Sequence, residues 1–133
     1  MKTILISVCS LLAACATSMS ASTPIPASRL AGKWYRGDGL GYNVTLTLNR
    51  DSSYDAVWTG CLGTYGTARG TWRLNASQIT LTPTEEKDTM RNHLRTLDVL
   101  PDKRGHALVP PEDRKNLEKW GSESSYWCFK PSK

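Results

Sequence analysis

The chain has 133 residues, a formal net charge of +5, 39% hydrophobic residues and four cysteines. That length supports one domain around one core. Basic residues are interspersed with acidic ones, as in Glu85-Glu86-Lys87-Asp88 and Glu112-Asp113-Arg114-Lys115, so the basic stripe that nucleic-acid binding requires is missing.

Met1-Lys2-Thr3 is a short basic start, Ile4 to Ala14 is an apolar run of eleven residues, and Cys15 follows. The run has the pattern of a secretory signal and is too short to span a bilayer. Leu12-Ala13-Ala14-Cys15 resembles the lipobox of bacterial lipoproteins, in which the signal peptide is cut before a cysteine that carries lipid. The resemblance implies that residues 1–14 are the signal peptide and that Cys15 bears two or three acyl chains, enough for a lasting membrane anchor where one chain binds only marginally. Ala16 stands where an Asp would imply retention at the inner membrane, so the implied location is the cell envelope, on the periplasmic face of the outer membrane. The alternative is an ordinary signal cut near Met19-Ser20-Ala21, with Cys15 discarded. Residues 15–29, rich in Ser, Thr, Ala and Pro, read as a tether, and residues 30–133 as the single folded domain. With Cys9 in the signal and Cys15 lipidated, Cys61 and Cys128 remain as an even pair in an oxidising compartment. They are expected to form a disulfide, the alternative being two separate buried thiols.

Gly32 to Arg36 reads as a first short strand bearing Trp34, and Gly37-Asp38-Gly39-Leu40-Gly41 as a flexible connection. Because that glycine-rich loop leads into a strand rather than a helix, it lacks the helix N-terminus a phosphate site needs. Tyr42 to Asn49 places Tyr42, Val44, Leu46 and Leu48 on one face and Asn43, Thr45, Thr47 and Asn49 on the other. After the turn residues Asn49 to Ser53, a strand from Tyr54 to Thr59 puts Tyr54, Ala56 and Trp58 inward. Gly60 to Gly66 breaks the pattern and reads as a wide loop or a bulged strand edge. Thr67 to Leu74 resumes with Ala68, Gly70, Trp72 and Leu74 inward, and Asn75-Ala76-Ser77 turns the chain into Gln78 to Thr82.

This hairpin has a fainter copy upstream. Gly32-Lys33-Trp34 and Gly70-Thr71-Trp72 lie 38 positions apart, and Val44-Thr45-Leu46-Thr47 and Ile79-Thr80-Leu81-Thr82 lie 35 apart. Thr82 as cap, Pro83 and Glu85 then predict a helical turn from Pro83 to Asp88. His93 to Val99 and Ala107 to Val109 follow as strands about the Pro101 to Gly105 turn. Glu112 to Trp120 reads as a short helix stopped by Gly121, with Leu117 and Trp120 toward the core. Ser125 to Lys130 is the expected last strand.

The fold class is therefore mainly β: a small antiparallel, barrel-like domain of about eight strands, with one short helix before the last. Gly32-Lys33-Trp34-Tyr35 near the start of the first strand resembles the Gly-x-Trp signature of lipocalins and their calycin relatives, and the late helix before a final strand is similar to their order of elements. The doubled hairpin pattern is also similar to small β-rich envelope lipoproteins, among them copper-responsive stress lipoproteins, whose C-x-x-C motif this chain lacks.

Tyr42, Trp58 and Trp72 all fall on inferred inner faces and are the candidates for lining a ligand cup, against the plainer reading of core packing residues. His93 and His106 flank one turn out of register, which leaves no metal-ligand set and no cofactor call. No nucleophile elbow or ordered triad is visible, so no catalytic residue is assigned. The expectation is a non-enzymatic envelope lipoprotein, held to the membrane by its lipid anchor, that binds a small apolar ligand or an envelope component. The alternative is a protein-partner module, such as a periplasmic inhibitor of a hydrolase or protease, that uses Gly37 to Gly41 and Gly60 to Gly66 as its contact surface.

Overall fold

The computed structural model describes residues 23–133. The lipobox, Cys15 and the apolar run before it lie outside the described residues. The chain is antiparallel β throughout, in the order β1 (Gly32–Gly37), β2 (Asn43–Leu48), β3 (Ser53–Gly60), β4 (Gly63–Asn75), β5 (Gln78–Asp88), β6 (Thr96–Asp102), β7 (Gly105–Val109), α1 (Arg114–Trp120) and β8 (Lys130–Pro131). Strands β1 to β7 are neighbours in chain order, and β8 lies beside β1. Leu108 of β7 exchanges both backbone hydrogen bonds with Phe129, while Lys130 and Pro131 pair with Tyr35 and Trp34. This short segment stitches β7 to β1 and nearly closes the sheet into a barrel, which removes most of the exposed edge an open meander would carry.

Alternation along the strands decides what fills the barrel. Val44, Leu46 and Leu48 of β2, Tyr54 and Ala56 of β3, Ile79 and Leu81 of β5, Leu97 of β6 and Leu108 of β7 are all at most 2% exposed. Trp34 and Trp72 close the turn end, their indoles donating to the carbonyls of Leu30 (2.8 Å) and Asn49 (2.9 Å). Met90 and Leu94, in the segment between β5 and β6, join the same core. Ile25 also packs on it and Leu30 is fully buried, so the chain docks on the barrel several residues ahead of the expected boundary at Leu30. A smaller cluster outside the barrel, made by Ala107, Val109 and Cys128 with Leu100 and Leu117, seats α1 on β6 and β7.

Three expectations are corrected. Pro83 to Asp88 continues β5 instead of turning helically, pairing from Pro83 opposite Gly70 to Asp88 opposite Gly66. Only Gln78–Thr80 of β5 pair with β6, so the missing N–H of Pro83 interrupts no ladder on that side. The register shifts between Arg69 and Gly70, leaving Thr84 as the extra residue of a bulge, its hydroxyl donating to the Arg69 carbonyl (3.2 Å). Gly70 is required there, because a Cβ would lie 2.1 Å from the Thr82 carbonyl oxygen. The final strand is two residues rather than Ser125 to Lys130: the Ser125 and Tyr126 carbonyls accept from Gly37 and Arg36 at the loop end, and Cys128 lies in the outer cluster before the chain inserts. Trp120 is 61% exposed, with only Leu117 of α1 turned to the fold.

Candidate functional site at the loop end of the barrel

β1, β3, β5 and β7 run toward one end of the barrel, where the Asp38–Tyr42 loop, the β3–β4 turn, the segment after Asp88 and the crossing to α1 gather. The other end holds the β2–β3, β4–β5 and β6–β7 turns and the entry of the chain. Of the three aromatic candidates, Tyr42 and Trp58 meet at the loop end, edge to face, with centroids 4.8 Å apart. Trp72 belongs to the opposite end and is core.

The sequence reading missed four residues that complete the cluster. His93 lies 4.9 Å from the Trp58 ring centroid, its Nε2 is 3.4 Å from the Tyr42 hydroxyl, and the Tyr126 ring stands 6.0 Å from Tyr42. Arg36 points inward, in phase with Trp34, and is only 7% exposed. Its Nη2 pairs with Asp113 Oδ2 at 2.6 Å and its Nε donates to the Tyr126 carbonyl at 2.9 Å. The guanidinium also lies over the Tyr42 ring at 5.5 Å. The signal that could have found Arg36 was its place on the inward face of a strand, where a charge demands a partner. Asp113, just before α1, supplies it and ties the start of α1 to β1.

Burial pushes the His93 imidazole below its usual range, and the positive Arg36 adds to that; burial likewise raises the Tyr42 phenol. Both groups therefore stay neutral in the cluster near pH 7. His106, second residue of β7 and opposite Pro101, lies at the turn end, so the two histidines are at opposite ends of the barrel. Among the described residues no group of three or more His, Cys, Asp or Glu side chains is placed to hold a metal ion.

The rim around this cluster is tied by hydrogen bonds and carries exposed apolar tips. Asp38 Oδ1 accepts from the backbone N–H groups of Leu40 (2.8 Å) and Tyr42 (3.1 Å), which holds its carboxyl below the usual range. The Asn43 amide donates to the carbonyls of Leu40 (2.9 Å) and Thr59 (3.3 Å), and Tyr35 donates to Asn43 Oδ1 (2.6 Å). The loop thus keeps one shape while holding Leu40 70% exposed. Beside it, of the two readings of Gly60 to Gly66, the structure has the bulged strand edge: the β3–β4 register shifts between Trp58 and Thr59, Tyr65 is left unpaired, and a tight turn presents Leu62 at 90% exposed. Tyr126 adds a ring that is 40% exposed.

The expected disulfide is not formed: Cys61 and Cys128 are both free thiols. Cys61 sits exposed on the β3–β4 turn, with its Sγ 3.7 Å from the Leu40 carbonyl oxygen. Cys128 is buried under α1 in the outer cluster, with its Sγ 3.8 Å from the Ser124 carbonyl oxygen. Among the described residues no helix is long and apolar enough to cross a membrane. No family model, no curated protein and no solved structure matches this chain.

Proposed function

We propose that this chain is a non-enzymatic binding module of the bacterial envelope, displayed on a lipid anchor at Cys15, that engages a protein partner through the loop end of its barrel. The observation that carries the reading is the pair of exposed tips, Leu40 and Leu62, on two loops that meet through Cys61 Sγ and the Leu40 carbonyl, at the end of the barrel that also carries Tyr42, Trp58 and Tyr126. A loop already fixed by Asp38 and Asn43 loses little conformational freedom on binding, which is how inhibitor loops gain affinity. A periplasmic hydrolase or protease with an apolar cleft is a partner of the right chemistry.

The rival, a lipocalin-like cup for a small apolar ligand, has less support because the barrel interior is occupied by its own core. It keeps one point in its favour, the half-buried Tyr42–Trp58–His93 face at the mouth. Native mass spectrometry of the protein purified from its own envelope separates the two. A bound protein that is lost in a Leu40→Asp/Leu62→Asp variant supports the module, and a retained small mass insensitive to those substitutions overturns it.

A further inference from the structure

The turn end of the barrel, opposite the apolar tips, exposes a group of basic residues. Arg29, Lys33, Arg50, Arg73 and Arg104 are all exposed there, and none forms an ion pair with a described carboxylate. Arg29, Lys33 and Arg104 border one shallow depression together with Ala31, and Arg50 and Arg73 border a second that shares Ala31, so the five belong to one continuous face. The carboxylates nearby are engaged: Asp102 with Lys130 at 2.9 Å, Glu123 with Lys103 at 2.7 Å, and Asp51 with the Ser53 hydroxyl at 2.6 Å. Only Asp51 among these lacks a cationic partner. By contrast, the loop end exposes Asp38, Asp88 and Glu112 alongside Arg91.

The chain enters the fold at this same end, through the 3-10 turn Ala27–Arg29. Cys15 lies eight residues before Thr23, a stretch that spans at most about 28 Å fully extended, and residues 1–22 contain no Asp or Glu that could neutralise the face. From these observations we infer that the face carrying Arg29, Lys33, Arg50, Arg73 and Arg104 docks on an anionic phospholipid surface and turns the Leu40–Leu62 end away from the membrane. The inference rests on the lipid-anchor reading for its geometry but not for its electrostatics. The cations sit on turns and strand ends, and the two indoles that line the depressions between them, Trp34 and Trp72, are buried at 4% and 6% exposure, a pattern suited to a plane of headgroups and not to stacking on nucleic-acid bases.

Attraction of exposed charges fades beyond a Debye length of about 8 Å at physiological salt, so a tether at the basic end is what brings the face within range. Each cation held at an anionic surface multiplies the docked population by about fivefold, which makes the effect of all five large.

The test uses the processed chain acylated at Cys15, reconstituted on phosphatidylcholine vesicles with or without phosphatidylglycerol. It carries Cys61→Ser and a fluorophore at Ala76→Cys on the β4–β5 turn. The expected result is flotation with both vesicles, with the label shielded from an aqueous quencher only on the anionic ones and unshielded again in the Arg50→Glu/Arg73→Glu/Arg104→Glu variant. Equal quenching on both vesicle types with flotation intact overturns the docking face and leaves the anchor standing. Binding to anionic vesicles alone, abolished by salt, removes the anchor but supports the face. Binding to neither overturns both.

Discussion

The ion pair between Arg36 and Asp113 is expected to be the joint that holds the start of α1 on the barrel, and Asp113→Asn tests it. The two side chains are only 9% and 14% exposed. Neutralising one partner of such a pair strands the other charge away from water, which costs about 3–5 kcal/mol in comparable cases. Arg36 keeps the Tyr126 carbonyl and its place over the Tyr42 and Phe129 rings, so the lower end, about 3 kcal/mol, is expected here. Against a total stability of roughly 5–15 kcal/mol that is a large fraction. With a urea slope of about 2 kcal/mol per molar for a small domain, the midpoint should fall by roughly 1.5 M, read by tryptophan fluorescence. The Arg36→Met/Asp113→Asn double variant removes both charges and should recover part of the loss. Lys103→Ala, which breaks a fully exposed pair, should leave the midpoint unchanged. An Asp113→Asn midpoint equal to that of the unsubstituted protein, or a double variant no more stable than Asp113→Asn, refutes the assignment.

Trp72→Ala should cost about 3–5 kcal/mol in the same unfolding assay, because the indole is 6% exposed and bonded to Asn49; a near-neutral result would make it a surface residue. The thiols should separate by accessibility. Cys61 should react with a maleimide in the native protein, whereas Cys128, buried and with its thiol pushed up by that burial, should react only after unfolding. Two unreactive thiols that appear together on reduction would restore the disulfide. His93 gives a pH signature. Its folded pKa lies below the unfolded value of about 6.5, so the unfolded chain binds the extra proton. Its contribution to stability is present above that value and lost as pH falls from about 6.5 through the folded pKa. His93→Gln should flatten the decline in melting temperature over that window, and an unchanged slope would place the imidazole in water.

Strands were legible where one face is apolar and the other is Thr-rich, as in Val44 to Leu48 and Tyr54 to Trp58, because a half-buried sheet imposes a period of two. Pro83 to Asp88 was misread because Thr82, Pro83 and Glu85 satisfy the local chemistry of a helix start, while pairing with β4, a non-local term, decides the outcome. Aromatic content misled at the C-terminus: Tyr126, Trp127 and Cys128 look like strand, yet Tyr126 packs at the loop end and Cys128 joins the outer cluster before two residues insert beside β1. Trp120 fits the helical spacing but falls on the solvent side, since a seven-residue helix turns one narrow stripe to the barrel. At the candidate site, Tyr42 and Trp58 were found by phase. His93 was not, because it reaches them from an irregular turn that has no period to read. The cysteine count implied a bridge that the positions of Cys61 on a turn and Cys128 under α1 do not make.

The central claim is that partners meet the Leu40–Leu62 end of the barrel. A photo-crosslinking residue placed at position 62 in cells, with position 76 on the opposite end as the comparison, tests it most directly. A discrete protein adduct from position 62 and none from position 76 is the expected result; no protein adduct at 62, or the same adduct from both ends, contradicts it.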